Sequence, residues 1–437
     1  MSLRVGMVAG EPSGDLLASR IMRGLRSHDE QTLCQGIGGP AMQSQGFELW
    51  HSMNALTVFG YVDAFKRLPG LLTTYFDIKK RWLSHRPDVF VGIDAPDFNL
   101  RLELQLRQAG IPTVHFVGPS IWAWRYERIH KIRAAVSHML VLFPFEEELY
   151  RKEGVPVTYV GHPLAEVIPM HPDQAAARRY LGVEPGARVL ALLPGSRASE
   201  IRLLGPRFLQ AAQILARQDP ALQILVPMVN ADRRREFEAL LRRYPVPNCR
   251  IIEKGAAHAA AGGAQLAAAD GAHGDLAKRG PAKRGPAKRG PADRGPAYRG
   301  PADRPAAWNV MEAADAVLVA SGTATLEAAL FKRPMVISYV LSPMMKRMME
   351  WKSGQARPYV PWVGLPNVLA RDFVVPELLQ DDATPQALAE ASWKALTDAS
   401  YARQVEARFA AMHASLHRDT PALAARAILQ EAGHAPA

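Results

Sequence analysis

Cysteine is nearly absent from this 437-residue sequence, which contains only Cys34 and Cys249. Two cysteines exclude a disulfide-stapled fold and a four-cysteine zinc site, and they are typical of a protein in a reducing compartment. No run of about 20 apolar residues occurs, so we expect no transmembrane helix, and the N-terminus lacks the apolar segment of a signal peptide. The 13 histidines are scattered without an HExxH or CxxC pattern, so the sequence predicts no metal site and no cofactor.

Short apolar runs alternate with longer amphipathic stretches along most of the chain. The runs lie at 4–9, 88–94, 113–117 and 138–143 in the first half, and at 188–193, 222–227, 316–320 and 335–340 in the second. Such alternation is typical of parallel sheets with helices on both faces. The sequence therefore predicts an α/β fold with two doubly wound domains that face a cleft. We place them at residues 1–165 and 166–437, because the stretch at 161–172 is rich in proline and turn residues.

Residues 256–307 interrupt this alternation. They begin rich in alanine and glycine and then repeat a five-residue unit of the type AKRGP, and they carry nine basic and four acidic residues of a chain with formal charge +11. Proline and glycine in every unit exclude a regular helix or strand, so we expect a loosely extended insertion in the second domain. A basic arm for RNA or anionic lipid is the alternative to a loop without function. The lack of interleaved aromatic residues other than Tyr298 argues against nucleic acid.

Loops that follow two predicted strands of the first half contain small and aromatic residues. Gly10, Ser13 and Gly14 follow the first strand, where small residues let the backbone approach a ligand. Ser120 and Trp122 follow the strand at 113–117, and the tryptophan offers a wall for a sugar or an acyl group. Neither loop contains a dinucleotide-binding or P-loop pattern. The alternatives are a plain capped turn at the first loop and a buried aromatic cluster at the second.

Two aspartates, Asp94 and Asp97, lie at the end of the apolar strand at 88–94. Doubly wound sheets bind ligands at the carboxyl ends of their strands, so a carboxylate there is a candidate general base. The alternative is that one of the aspartates caps the following helix. We assign the chemistry to Asp94 and the capping to Asp97 or Asn99, although spacing alone leaves Asp97 open as the base.

The second half contains two strand–loop–helix segments of the type that binds phosphate. Their residues are Gly195, Ser196 and Arg197 in the first segment, and Ser321, Gly322, Thr323 and Glu327 in the second. Backbone N–H groups at a helix N-terminus and a bidentate arginine together suit a diphosphate. Glu327 is placed to accept hydrogen bonds from ribose hydroxyls, and the alternative is an interaction with the helix dipole. Two such segments opposite an acid indicate nucleotide-sugar chemistry in which these groups, without a metal, neutralise the leaving group.

Two stretches, 56–82 and 344–352, combine apolar and basic residues in a way that suits an anionic membrane surface. The apolar residues of the first stretch include Val62, Phe65, Leu68, Leu71 and Leu72. The second stretch is rich in methionine, whose flexible side chain suits acyl chains. The alternative for each is an ordinary helix with one face in the core and the other in solvent.

Eight stretches together point to a known family. They are VAGEPSGD (8–15), DVFVGIDAPDFN (88–99), GPSIWAWR (118–125), VGHPL (160–164), LLPGSRASE (192–200), VPMVNA (226–231), ASGTATLEAAL (320–330) and GLPNVLA (364–370). With them the chain resembles the lipid A disaccharide synthases, inverting glycosyltransferases of the lipopolysaccharide pathway. The resemblance covers nearly the whole chain outside 256–307, where the insertion departs from the family pattern. The stretches at 88–99 and 118–125 are the most specific of the eight.

The resemblance implies a GT-B type fold of two Rossmann-like domains and a particular reaction. A diacylated glucosamine moves from its UDP carrier to the 6-hydroxyl of 2,3-diacylglucosamine 1-phosphate (lipid X), which gives a β-1′,6-linked disaccharide and UDP. By position, Asp94 resembles the catalytic acidic residue of the family and Arg197 the arginine that contacts the UDP phosphates. Asn367 and Glu327 are implied to line the nucleotide pocket.

The resemblance also implies a location and partners. The segment around 62–72, together with Leu203, resembles the membrane-docking patch of the family, which implies a peripheral protein on the cytoplasmic face of the inner membrane. The expected partners are UDP-diacylglucosamine, lipid X, the anionic membrane surface and a second copy that exchanges its C-terminal part, but no nucleic acid. The alternatives are a UDP-sugar epimerase of the same fold class and a nucleic-acid-binding protein that uses the basic repeats.

Overall fold

The computed structural model describes residues 2–56, 61–255, 301–342, 347 and 359–434, and for residues 61–68 it describes the backbone only. The repeats within 256–300, most of the stretch 344–352 and the side chains of Val62, Phe65 and Leu68 therefore lie outside the described residues. Among the described helices, none combines the length and the hydropathy that a membrane span requires.

The first half of the chain forms a parallel sheet with helices on both faces. Its strands are β1 (Arg4–Ala9), β2 (Leu33–Gly38), β3 (Glu48–Ser52), β4 (Val89–Ile93), β5 (Thr113–Phe116), β6 (His138–Val141) and β7 (Val157–Tyr159). Its helices are α1 (Pro12–His28), α2 (Pro40–Gln43), α3 (Tyr61–Ser84), α4 (Pro96–Gln108), α5 (Ile129–Ala135), α6 (Pro144–Lys152) and α7 (Pro163–Val167). The spatial order is β3–β2–β1–β4–β5–β6–β7. The central strands are buried on both sides, which explains their continuous apolar runs.

The second half repeats this architecture. Its strands are β8 (Val189–Leu193), β9 (Gln223–Pro227), β10 (Cys249–Ile252), β11 (Ala316–Ala320), β12 (Met335–Tyr339) and β13 (Glu377–Leu379). Its helices are α8 (Gln174–Leu181), α9 (Ala198–Gln218), α10 (Ala231–Arg243), α11 (Ala306–Ala313), α12 (Thr323–Leu330), α13 (Leu365–Ala370), α14 (Pro385–Thr397), α15 (Ala399–Leu416) and α16 (Thr420–Glu431). The strands are parallel in the order β10–β9–β8–β11–β12–β13. The predicted pair of doubly wound α/β units is confirmed.

The last helix, α16, packs against the first sheet although the chain enters it from the second. Ala424 and Ile428 lie in the same core cluster as α1. Gly24 of α1 permits this close approach, because a Cβ added there would lie 2.4 Å from the Pro421 carbonyl oxygen. The predicted second domain comprises residues 166–437, and α16 is the part of that range that packs against the first domain. The homodimer with exchanged C-terminal parts stays a prediction.

Two segments that cross between the sheets run side by side. The His162 N–H donates to the Leu416 carbonyl over 2.9 Å, and the Thr420 hydroxyl donates to the Val160 carbonyl, also over 2.9 Å. The two domains are therefore joined by a pair of short segments that hydrogen-bond to each other.

The predicted insertion ends earlier than residue 307. Pro301–Asp303 forms a short 3-10 helix, and α11 begins at Ala306, which is buried. Arg304 pairs with Glu312, whose side chain is only 4% exposed. These contacts correct the C-terminal boundary of the predicted insertion, because residues 301–307 form ordered structure that packs with the second domain.

Candidate active site

Loops of the two domains meet at the carboxyl ends of both sheets. The Tyr359 N–H of the second domain donates to the Ala123 carbonyl of the first over 3.0 Å. Val363 lies four residues after Tyr359 in the second domain, and its carbonyl accepts the hydroxyl of Ser321, which follows β11, over 3.4 Å. Ligands of doubly wound sheets bind at this edge. These contacts bring the aromatic loop after β5 of the first domain against the 359–363 segment of the second domain, which also contacts the loop after β11.

Asp94 lies in an unusual turn at the end of β4. Asp94 and Ala95 both have left-handed backbones, with φ of 53° and 44°, which residues other than glycine seldom adopt. Two hydrogen bonds hold the turn: the Asp94 N–H donates to the Phe116 carbonyl over 2.8 Å, and the Asn99 side chain donates to the Asp94 carbonyl over 2.7 Å. The Asp94 side chain is half-buried at the cleft. Asp97, in contrast, is 89% exposed and paired with Arg128, and it does not cap α4.

A cavity of about 300 Å³ adjoins the Asp94 turn. It is lined by Gly10, Glu11, Leu56, Leu71, Leu72, Tyr75, Ala95, Pro96, Asp97, Phe98 and Arg101. The β1 loop touches the turn closely, since a Cβ added at Gly10 would lie 3.0 Å from the Ala95 Cβ. The lining combines apolar side chains with the charged residues Glu11, Asp97 and Arg101, so the cavity fits an amphipathic ligand, and Asp94 itself adjoins the cavity without lining it.

The rest of the β1 loop has a structural role. Gly14 is buried against Ile93, and Ser13 is exposed and caps nothing. Asp15, 3% exposed, accepts the N–H groups of Gly39, Ala41 and Met42 over 2.8–3.0 Å. The acidic residue therefore caps α2 and not its own helix.

The first phosphate segment is occupied by an internal carboxylate. Glu200 accepts the N–H of Ser196 over 2.8 Å and the N–H of Arg197 over 3.1 Å, and a Cβ at Gly195 would lie 2.4 Å from its Oε2. This corrects the expectation that Ser196 offers a free N–H, because Glu200 sits at the third position of α9 and closes a capping box. The Arg197 side chain is 78% exposed, and its Nη1 donates to the Glu200 Oε1 over 3.4 Å. Burial raises the pKa of Tyr339 at the end of β12, and the negative charge of Glu200 adds to this effect.

The second phosphate segment starts α12. Gly322 and Thr323 are exposed, and Gly322 has φ of 156°. The first N–H groups of a helix have no partner within the helix, so this N-terminus can accept an anion. Burial raises the pKa of Glu327 one turn further on, while a hydrogen bond from Trp308 opposes this shift. Among the described residues, no group of three or more His, Cys, Asp or Glu side chains could hold a metal ion.

Most of the chain matches one protein family. A family profile described as Lipid-A-disaccharide synthetase matches residues 5–271 and 304–429. The lipid-A-disaccharide synthase of Bordetella petrii is 68% identical over 432 residues, which cover 99% of this chain and 99% of that protein. The chain belongs to the lipid-A-disaccharide synthase family. The same name is borne by an Aromatoleum aromaticum protein that is 45% identical over 436 residues, 100% of this chain and 98% of that protein.

Membership in the lipid-A-disaccharide synthase family makes the chain a glycosyltransferase of lipid A biosynthesis and confirms the resemblance. A solved structure, UDP-GlcNAc 2-epimerase from Neisseria meningitidis bound to UDP-GlcNAc, is similar with a TM-score of 0.54, 11% identity and coverage of 98% of this chain and 99% of that chain. This likeness shows the fold alone, and the predicted GT-B type fold is confirmed. The family profile leaves only 272–303 unmatched between its two parts, so residues 256–271 of the predicted insertion lie in the matched range.

The aromatic loop after β5 borders a second cavity of the synthase, about 400 Å³ in volume, between the two domains. Its lining residues are Trp122, Tyr126, Phe145, Glu148, Leu149, Lys152, Val360, Trp362, Val368 and Arg371. Trp122 is half-buried and packs edge-to-face on Phe145 at 5.4 Å between ring centres, while Ser120 is exposed. The tryptophan thus faces a cavity of the cleft.

Sequence reasoning missed Glu146, which lies behind this loop. The residue is 5% exposed, and its carboxylate accepts the Phe143 N–H over 3.2 Å at the start of α6. Burial raises the pKa of Glu146 to about 8, although hydrogen bonds from backbone N–H groups and from Trp122 lower it in part. The signal that could have revealed it is a glutamate at the third position of a helix that begins with proline.

Asn367 does not present its amide to the nucleotide site. It is fully buried, and its Nδ2 donates to the Val375 carbonyl over 2.8 Å and to Glu377 over 2.9 Å. Its Oδ1 accepts the Val375 N–H over 3.1 Å. Glu377 in turn accepts the N–H groups of Val363 and Gly364. The Asn367 amide therefore helps to shape the 363–364 loop, and its expected place in the nucleotide pocket stays a prediction.

The described part of α3 in this synthase presents apolar side chains to solvent. Leu72 is 40% exposed and Phe76 is 60% exposed, whereas Leu71 is half-buried and lines the cavity beside Asp94. Leu203 on α9 is half-buried. Of the described side chains of the predicted docking patch, Leu71 and Leu72 thus form part of the wall of the cavity beside the Asp94 turn, whereas Leu203 does not line it.

Proposed function

We propose that this chain is an inverting transferase that moves 2,3-diacylglucosamine from UDP to the 6-hydroxyl of 2,3-diacylglucosamine 1-phosphate. The observation that carries the proposal is a carboxylate, Asp94, fixed in a left-handed turn whose next residue, Ala95, lines a cavity of about 300 Å³. Leu71, Tyr75 and Phe98 on the cavity wall suit an acyl chain of the acceptor. An acceptor held there would have its sugar next to Asp94.

Asp94 acts as the general base in the proposed reaction. It accepts the proton of the 6-hydroxyl while that oxygen forms a bond to the anomeric carbon of the donor. The bond between the anomeric carbon and the phosphate oxygen breaks, and its electron pair leaves with UDP. Attack opposite the leaving group inverts the configuration and gives the β linkage. A general base of this kind contributes roughly 10²–10⁴-fold to the rate.

The second domain holds the UDP part of the donor. Arg197 is 78% exposed and can swing its guanidinium onto the diphosphate. The N-terminus of α12 supplies N–H groups to the same charge. Glu327, further along α12, accepts the ribose hydroxyls in this proposal, although in the free protein it is half-buried and accepts a hydrogen bond from Trp308. These groups stabilise the negative charge that develops on the leaving phosphate.

The protein is proposed to work as a peripheral protein on the cytoplasmic face of the inner membrane. Leu72 and Phe76 are exposed on α3, and Lys79 and Lys80 follow on the same helix. Apolar side chains with nearby cations favour an anionic bilayer surface. Because Leu72 also lines the Asp94 cavity, an acyl chain could pass from the bilayer into the cavity along α3.

A product assay tests the reaction. The purified full chain is mixed with UDP-2,3-diacylglucosamine and 2,3-diacylglucosamine 1-phosphate in detergent micelles with EDTA, and disaccharide and UDP are quantified. We expect product from the wild type, a loss of roughly 10²–10⁴ in kcat for Asp94→Asn, and a much smaller loss for Asp97→Asn, which removes the other candidate base at an 89% exposed position in the wall of the same cavity. Near-normal turnover of Asp94→Asn would reject the base assignment. A folded, UDP-binding wild type that makes no disaccharide would reject the transferase and favour an assay for UDP-sugar epimerisation.

A further inference from the structure

A row of three buried polar side chains, Asn99, Glu103 and His115, lies directly behind the Asp94 turn. Asn99 and Glu103, four residues apart on α4, are both 0% exposed and face β4. They meet at Gly92, where an added Cβ would lie 2.1 Å from the Glu103 Oε1 and 3.0 Å from the Asn99 Cβ. The glycine in an otherwise apolar strand is therefore required by these two side chains.

Glu103 connects this row to strand β5. Its Oε1 lies 2.7 Å from the His115 Nδ1, and both side chains are 0% exposed. His115 on β5 pairs in register with Gly92 on β4. Burial raises the pKa of Glu103, and the adjacent His115 opposes this shift. An apolar pair of similar size would often fold as well or better, so folding stability alone gives no reason for this pair.

Asn99 connects this row of side chains to the Asp94 turn. Its Nδ2 donates to the carbonyl oxygens of Asp94 over 2.7 Å and Ile93 over 3.4 Å. Asp94 and Ala95 are held in left-handed conformations, which are unfavourable for alanine in particular because of its Cβ. Such conformations persist only when the surrounding structure determines them. The Asn99 amide is the side chain that contacts both carbonyls at the start of this turn.

We propose that Asn99 is a positioning residue for the reaction, which holds the strained turn so that the Asp94 carboxylate points into the cleft. This inference rests on the proposed function, in which Asp94 is the base. Glu103 and His115 keep Asn99 in place, because their carboxylate and ring fill the space beneath it at Gly92. Asn99 itself touches no substrate.

The test compares Asn99→Leu with a matched control, Asn309→Leu. Asn309 in α11 is 3% exposed and donates to the Pro301 carbonyl over 2.7 Å. In both residues, the Oδ1 has no partner among the described residues. Leucine has the same number of side-chain heavy atoms and the same branching as asparagine, and it removes the donor. We expect Asn99→Leu to lower kcat by about 10²-fold with KM and UDP affinity unchanged, because a misplacement of about 1 Å has this effect. Asn309→Leu should lose thermal stability to a similar extent but keep its kcat per folded molecule.

A third variant, Asn99→Asp, distinguishes positioning from packing. The carboxyl group that this substitution introduces can donate to the Asp94 carbonyl when it is protonated but not when it is ionised, so kcat relative to the wild type should rise as the pH falls. Asn99→Leu should show no such rise. Equal kcat losses in Asn99→Leu and Asn309→Leu, or a pH-independent ratio for Asn99→Asp, would overturn the inference. A wild type without transfer activity would reject the proposed function itself, whereas an inactive Asp94→Asn beside a fully active Asn99→Leu would reject only this inference.

Discussion

Replacing Glu200 with glutamine is expected to tighten UDP binding, although it removes a native contact. In the free protein, the Glu200 carboxylate occupies the N–H groups of Ser196 and Arg197 at 2.8 and 3.1 Å. These are donors that a diphosphate would use at the start of α9. UDP must therefore either displace Glu200 or bind without them, and a carboxylate next to a diphosphate also repels it.

The size of the effect follows from the two hydrogen bonds. A hydrogen bond to a charged group contributes about 1.5–3 kcal/mol and a neutral one about 0.5–1.5 kcal/mol. Glu200→Gln should weaken each bond by about 1 kcal/mol, so displacement becomes easier by about 2 kcal/mol in total. The Glu200 side chain is 16% exposed, but the two hydrogen bonds themselves lie at the surface, so these values are upper limits. The dissociation constant of UDP should fall by roughly 30-fold, while the free energy of unfolding falls by a similar amount of about 1–2 kcal/mol.

Calorimetric titration with UDP and thermal unfolding measure the two quantities on the same samples. Glu236→Gln is the control, because it removes the same charge from the second domain at an exposed ion pair with Arg233 on α10. We expect opposite signs in Glu200→Gln, with tighter binding and lower stability, and little change in the control. Unchanged or weaker UDP binding in a folded Glu200→Gln variant would refute the reasoning. Glu200 would then be part of a scaffold that the nucleotide leaves intact.

Two further predictions concern the first domain. The double variant Leu72→Ser/Phe76→Ser should no longer float with anionic vesicles in a flotation assay and should keep its melting temperature. The control Leu33→Ser, at another exposed leucine, should still float with the vesicles. A lower melting temperature for the double variant would mean that these residues belong to the core. Burial raises the pKa of Glu146 to about 8 from its usual 4.5, so the folded protein retains a proton that the unfolded chain releases, and the free energy of unfolding should fall as pH rises through this window. In urea denaturation, Glu146→Gln should remove this pH dependence, and its free energy of unfolding should gain up to about 1.4 kcal/mol per pH unit relative to the wild type. Equal slopes of unfolding free energy against pH for the wild type, Glu146→Gln and the control Glu147→Gln would contradict the prediction.

The strands and the position of Asp94 were predictable because both depend on local pattern. Strands buried on both faces must be continuously apolar, so runs such as the one at 88–94 identify themselves. A polar residue directly after such a run can only lie at the carboxyl edge of the sheet. The packing of α16 was not predictable, since its alanine-rich face fits either sheet. The close approach of Pro421 to Gly24 decides it, and these residues are far apart in sequence.

The internal partner of the first phosphate segment was hidden for a different reason. A capping box is usually recognised by Ser, Thr, Asp or Asn at the N-cap followed by Glu three positions later. Here the N-cap is Arg197, so the pattern is not apparent although Glu200 closes the box. Asn367 shows the same difficulty in reverse. Its motif is that of a binding loop, but three hydrogen bonds within the protein use its amide.

Internal carboxylates thus satisfy many of the backbone donors at this edge of the two sheets. Asp15 binds three N–H groups, Glu377 binds two and Glu200 binds two. In the proposed reaction, a donor that is already bound attracts the diphosphate only when its internal acceptor leaves, so the first attraction is expected from the Arg197 guanidinium and the N-terminus of α12. Glu200 can then compete with bound UDP after transfer, because its carboxylate remains tethered next to the same N–H groups. A contact that weakens binding of the nucleotide would therefore also favour release of the product UDP, a step that often limits turnover.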